Sequence, residues 1–97
     1  MASFVGGETM AEAEIHASYD ELADVAYISV GLPDRKSRNR EASRGVVWRV
    51  SPDGEYRGVT ILQFSRHWRG RGEELVALLR SHLPVNSSAK KQILEMA

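Results

Sequence analysis

Apolar and polar side chains alternate along the first third of the chain. Residues 12–19 carry an apolar side chain at every second position from Ile15 to Tyr19, a pattern typical of a half-buried strand. The alternation returns in 25–30, after the carboxylate-rich run 20–24, whose residues favour a turn. These two segments predict a β-hairpin.

The pattern stops and then resumes in the middle of the chain. Residues 31–43 contain Pro33 and many charged side chains without an apolar period, so they predict an exposed loop. Residues 44–50 and 56–62 alternate on either side of 51–55, which supplies the Pro, Asp and Gly of a tight turn. A second hairpin is therefore predicted.

The alternation also assigns the faces of this second hairpin. Trp48 shares its face with Val46 and Val50, so we expect it in the core, with Trp68 at least partly buried. The alternation places Val59 and Ile61 on one face of the last strand and Tyr56, Thr60 and Leu62 on the other.

The period changes to that of a helix from Glu73 onward. Apolar residues recur at helical spacing up to Leu83, and Pro84 ends the segment. In the tail 86–97, Asn86, Ser87 or Ser88 can cap a short helix, which would be marginal in isolation.

These elements predict an α+β fold, an antiparallel β-sheet of about four strands in two successive hairpins with a C-terminal helix packed on one face. We expect one domain over 12–84, a flexible N-terminal extension over 1–11, and a tail or short helix over 85–97. Because both sheet faces are partly apolar and one helix covers only one, we expect the other face to need a partner, most simply in a homodimer.

Composition narrows the cellular setting. The 97 residues include no cysteine, which removes disulfides and thiolate sites and is compatible with a reducing compartment. The first ten residues lack a basic region and a long apolar run, so they predict neither a signal peptide nor a membrane anchor. A cytoplasmic protein without membrane association is expected.

Charge is balanced overall but unevenly distributed. The net charge is zero, yet residues 1–24 hold six acidic and no basic side chains, whereas 25–72 hold ten basic and four acidic ones. Such a division can help one subunit contact another, or can reflect two solvated faces. A neutral chain is not typical of a nucleic-acid-binding protein.

Short motifs in both hairpins resemble a catalogued family. The run S-Y-D-E-L-A-D-V-A-Y-I over 18–28 resembles the opening of the YuzE-like family of small bacterial proteins, a domain of unknown function, and 45–50 with 53–62 are similar to its second hairpin. The resemblance extends over about 18–65. It brings no established reaction and implies, at most, an accessory or antitoxin-like protein.

Asp20, Glu21 and Asp24 place three carboxylates within five residues. This density could bind a divalent cation or share a proton in acid–base chemistry. The favoured interpretation is structural, with Asp20 and Asp24 accepting hydrogen bonds from backbone amides in the turn, because aspartate is common in turns for that reason.

The remaining residues suggest no metal or catalytic centre. His16, His67 and His82 are too scattered for a local ligand motif. We expect His16 on the polar face of its strand and His82 at the end of the helix. No serine lies in a nucleophile elbow, and no phosphate loop occurs, so we expect no cofactor, metal or catalytic site.

The segment 64–72 is chemically the most suggestive. It combines three arginines with two aromatic residues, which suit phosphates and stacked bases. Alternatively, Phe64 and Trp68 bury against the core while the arginines stay solvated. A second basic cluster lies in the predicted loop, and sheet order decides whether the two share a surface. The candidate nucleic-acid or partner contacts are Arg66, His67, Trp68, Arg69, Arg71, Arg35, Lys36, Arg38 and Arg40.

Three functional hypotheses follow. The first is a non-enzymatic module that binds a protein partner through its sheet face, a strand edge or its C-terminal helix and tail. The second is a nucleic-acid-binding accessory protein that uses the 66–71 segment and the 35–44 loop. The third, a small enzyme centred on the 20–24 carboxylates, has least in its favour.

Overall fold

The computed structural model describes residues 15–31 and 36–97. The predicted extension 1–11, the start of the first predicted strand at 12–14, and Arg35 lie outside the described residues. Within the described parts, the strands are β1 (Ile15–Asp20), β2 (Val25–Val30), β3 (Arg38–Glu41), β4 (Val46–Val50) and β5 (Tyr56–Leu62), and the helices are α1 (Phe64–Trp68), α2 (Gly72–Arg80) and α3 (Ser87–Met96).

The strands form one open antiparallel sheet in the order β1-β2-β5-β4-β3. Both predicted hairpins are present, and β5 pairs with β2 as well as with β4, so it joins the hairpins into one sheet. The α+β class, the antiparallel sheet and the C-terminal position of the helices are confirmed.

The prediction of about four strands is wrong by one. β3 lies within 31–43, which the sequence indicated as an exposed loop, and pairs with β4 at the sheet edge. All four of its side chains are exposed. An edge strand that extends beyond the core is held by its backbone hydrogen bonds to the neighbouring strand and buries no side chain. Without a buried face it shows no apolar alternation.

One face of the sheet forms the core with the helices. The alternating apolar positions of β1, β2 and β4 and the pair Val59 and Ile61 all face inward in the cross-strand register. Trp48 is 4% exposed and Ile61 is fully buried. Phe64, Trp68 and the buried residues of α2 and α3 belong to the same cluster, so the helices cover this inner face.

Tyr56 lies on the inner side, contrary to the predicted alternation. The register between β4 and β5 shifts at Arg49 and Val50, so that Val50 pairs with Tyr56 while Arg49 pairs with Gly58. The extra residue is Arg57. A bulge of this kind reverses the face of every residue beyond it, and Tyr56 consequently packs against Trp48.

The helical layer contains the predicted helix, the short helix foreseen in the tail, and a further helix that the sequence did not predict. α1 forms within the predicted strand-to-helix connection, and α2 corresponds to the predicted helix. α3 begins after Asn86, whose side chain accepts the Ala89 N–H at 2.8 Å, and packs on α2 and β1. No helix in the described parts of the chain is long and apolar enough to cross a membrane.

Candidate functional site

The outer face of the sheet, turned away from the helices, has an apolar centre. One row of cross-strand neighbours comprises Ser18, Tyr27, Thr60, Val47 and Glu41. In the adjacent row Val25 pairs with Leu62. Tyr27 is 45% and Leu62 46% exposed, and their positions on neighbouring strands make them diagonal neighbours. The centre of this face is therefore an apolar patch open to solvent.

Polar groups and a shallow pocket surround this patch. Asp20 lies in the Leu62 row on β1, and Arg49 lies on the far side of the Tyr27 row on β4, so the two charges occupy opposite corners. Beside Val47 and Leu62 the β3–β4 turn encloses a pocket of about 150 Å³. Gly58 is buried, and an added Cβ would lie 2.6 Å from the Ile28 carbonyl oxygen, so glycine is needed where β5 approaches β2.

The carboxylates of the β1–β2 turn have structural partners. Asp20 Oδ1 accepts the N–H groups of Leu22 and Ala23, each at 3.1 Å. Asp24 Oδ1 accepts the Tyr19 hydroxyl at 2.6 Å and the Ser65 N–H at 2.9 Å, and Oδ2 accepts the Ser65 hydroxyl at 2.8 Å. The predicted bonding to backbone amides of the turn is confirmed for Asp20. For Asp24 it is wrong, because the amide that it accepts belongs to Ser65, so this carboxylate connects the turn to α1.

This network sets the charge state of Asp24. The hydrogen bond from Tyr19, followed by that from the Ser65 N–H, holds the pKa of Asp24 below its usual value. The same contact raises the pKa of the Tyr19 phenol. Asp24 is thus an ionised acceptor already engaged by three donors. Within the described residues, no three histidine, aspartate or glutamate side chains lie together in a group that could hold a metal ion.

The basic segment 66–71 divides between core and surface. Trp68 is 1% exposed, which confirms its predicted burial, and its Nε1 donates to the Arg44 carbonyl at 3.2 Å. The Arg44 guanidinium lies 4.1 Å from the centre of the same ring and bonds Glu74 at 2.9 Å. The Trp68 ring is therefore enclosed and cannot stack on a base. Around it, Arg66, Arg69 and Arg71 are exposed and His67 is half-buried.

The second basic cluster lies along β3. Lys36, Arg38 and Arg40 are exposed, and Arg40 Nη1 donates to the Tyr56 hydroxyl at 2.7 Å. In the register Arg40 pairs with Trp48 and Arg38 with Val50. Both arginines are consequently on the helix side of the sheet, at its β3 edge.

Three aromatic rings meet beside these arginines. Tyr56 and His82 stack with centroids 3.9 Å apart and an interplanar angle of 5°. Trp48 stands nearly perpendicular to both, at 5.3 Å and 4.8 Å. His82 follows α2, as predicted, and is exposed, as is His16 on β1. The sequence did not predict the stack, because alternation without the bulge places Tyr56 on the opposite face.

The two basic clusters lie at opposite ends of α2. Arg71 precedes its first residue and His82 follows its last turn, and a nine-residue helix is about 14 Å long. Arg40 adjoins His82 through Tyr56. Arg38 and Arg40 are therefore separate from the 66–71 segment, whereas Arg44, the last residue of the 35–44 loop, lies over Trp68 of that segment.

A family model matches residues 16–65, just over half of the chain. The chain belongs to the family described as "Protein of unknown function (DUF2283)". The DUF2283 match begins at the second residue of β1 and ends at Ser65, the partner of Asp24, so it includes the sheet except Ile15, and the start of α1. No curated protein and no solved structure matches the chain. The YuzE-like name and the bacterial origin stay predictions.

Proposed function

We propose that this DUF2283 protein is a non-catalytic protein-binding module that self-associates through the outer face of its sheet. The observation that supports this proposal is the pair Tyr27 and Leu62, each nearly half exposed at the centre of a face that none of the described helices covers. Antiparallel sheets commonly leave one face in water, but that face is then polar. An exposed apolar centre with a polar rim is typical of an interaction site.

The charges at the rim favour a second copy of the chain as the partner. Asp20 and Arg49 occupy opposite corners of the patch. A twofold axis through the patch centre that exchanges these corners brings each Asp20 opposite the Arg49 of the other copy. Such an axis superposes equivalent patches, as in most homodimers, and two sheets pack face to face about 10 Å apart.

The test places one charge in the patch and the same charge elsewhere. Leu62→Asp puts a carboxylate in the apolar centre, where burial without a partner is costly. Ala77→Asp adds the same charge on the exposed side of α2. By sedimentation velocity at micromolar concentration, we expect wild type and Ala77→Asp to be dimers and Leu62→Asp a monomer, all three with the same circular dichroism spectrum. A monomeric wild type, or a dimeric Leu62→Asp, would exclude this interface.

A further inference from the structure

Four side chains form a second surface at the sheet edge, which we call the β3 edge surface: Arg38, Arg40, Tyr56 and His82. Arg38 and Arg40 point to the same side of β3, because they are two residues apart. Arg40 is fixed by its bond to the Tyr56 hydroxyl, and the Tyr56 ring is covered on one side by His82. The Arg40 guanidinium thus lies beside a preformed aromatic stack, and Arg38 projects from the same side of β3.

The stack is anchored in the core and ends at the surface. Trp48, 4% exposed, supports both rings from the side. His82 is exposed while one of its faces lies on Tyr56, and no other described ring is stacked on it. A planar group placed there would continue the stack without any rearrangement of the rings beneath it. Such a ring is a platform for a base.

The charge around this platform is locally basic. Of the basic side chains in 36–50, Arg38 and Arg40 lie on the platform's side of the sheet, whereas Arg49 lies on the outer face. Arg44 is paired with Glu74, whereas no described carboxylate pairs with Arg38 or Arg40. A guanidinium has five N–H donors, so Arg40 retains donors beyond the one bonded to Tyr56.

We propose that the β3 edge surface binds single-stranded nucleic acid, with a base stacked on His82 and backbone phosphates paired with Arg38 and Arg40. Bases within a duplex are stacked on one another, so the exposed ring selects single strands. The surface lies on the helix side of the sheet, opposite the outer face, and does not depend on self-association.

The experiment is a fluorescence-anisotropy titration of a labelled oligothymidylate with the full chain at low salt. His82→Ala removes the platform, and loss of one base–aromatic stack is expected to weaken binding about fivefold or more. His82→Phe keeps a planar ring and should bind within about twofold of wild type, which distinguishes stacking from the charge of the imidazole. Trp48 emission provides a second signal, because its ring contacts His82.

A matched pair of double variants tests the arginines. Replacing both Arg38 and Arg40 by alanine should weaken binding at least tenfold. Replacing Arg66 in α1 and Arg69 just after it removes the same charge and should leave the affinity within about twofold. Equal losses in the two double variants would overturn the proposal, as would equal affinity for a duplex of the same length. Binding of a phosphopeptide of matched charge as tightly as the oligothymidylate would also exclude base stacking.

Discussion

Asp24 connects two segments that are distant in the sequence, since its carboxylate accepts hydrogen bonds from Tyr19 and from Ser65. Its φ of 58° is left-handed, a conformation that asparagine also tolerates. Asp24→Asn therefore preserves the backbone but replaces one acceptor with a donor. We expect a lower denaturation midpoint at neutral pH than for wild type.

The pH dependence of this stability difference tests whether the Asp24 carboxylate causes it. Because the pKa of Asp24 is lower in the folded state, ionised Asp24 stabilises the fold above the unfolded value of about 3.9, and this contribution is lost as the pH falls through the folded-state pKa. The stabilities of wild type and Asp24→Asn should converge over that window. The pKa of Asp53 is also lowered, so Asp53→Asn shows how much of the pH dependence of stability comes from that second aspartate. A stability difference between wild type and Asp24→Asn that is independent of pH would contradict the argument.

Alanine substitutions at Gly45 and Gly54 distinguish the cost of backbone strain from the cost of steric overlap. Both have positive φ, 78° and 90°, where an L-residue costs about 1–2 kcal/mol. A Cβ at Gly54 meets no atom within 4 Å, whereas at Gly45 it would overlap the Leu62 carbonyl oxygen. In chemical denaturation, we expect Gly54→Ala to lose about 1–2 kcal/mol and Gly45→Ala clearly more. Equal losses would mean that the β3–β4 turn can move away from β5.

At the scale of elements, the sequence predicts those strands and helices whose side chains alternate regularly between buried and exposed positions. β1, β2, β4 and β5 were predictable because each has one buried face, and α2 because its apolar residues form one stripe. β3 has no buried face, and α1 is too short for its period to stand out. The face of Tyr56 depended on a bulge, which is a property of two paired strands and cannot be deduced from the alternation of one.

α3 is predicted to be an integral part of the fold rather than a dispensable tail. Ile93 is fully buried in the shared core, and truncation of a buried isoleucine typically costs about 2–5 kcal/mol. Ile93→Ala should therefore lower the free energy of unfolding by that amount in a single transition followed by tryptophan fluorescence. Glu95→Ala changes an exposed position of the same helix and should have little effect. A separate early transition in Ile93→Ala would instead show that α3 unfolds independently.

At the scale of the whole molecule, the surfaces arise from residues far apart in sequence. His82 reaches Tyr56 across 26 positions, and Asp24 reaches Ser65 across 41. The sequence identified Arg38 and Arg40 as candidate contacts but left open whether they share a surface with Trp68, which is buried. Only the sheet order shows that Tyr56 and His82 are the aromatic residues beside them.

Ionic strength should separate the two proposed surfaces, because one is apolar and the other electrostatic. Burial of the Tyr27 and Leu62 patch is little affected by salt, so the dimer measured by sedimentation should persist as salt is raised.

Binding of a single strand releases counterions, with a slope of log affinity against log salt of about −0.7 for each phosphate contacted. Two contacts, from Arg38 and Arg40, give a slope of about −1.4, and Arg40→Ala should reduce its magnitude by about 0.7. A dimer that dissociates as salt increases would show that the charged rim, not the apolar centre, holds the copies together. A slope unchanged in Arg40→Ala would remove this arginine from the nucleic-acid surface.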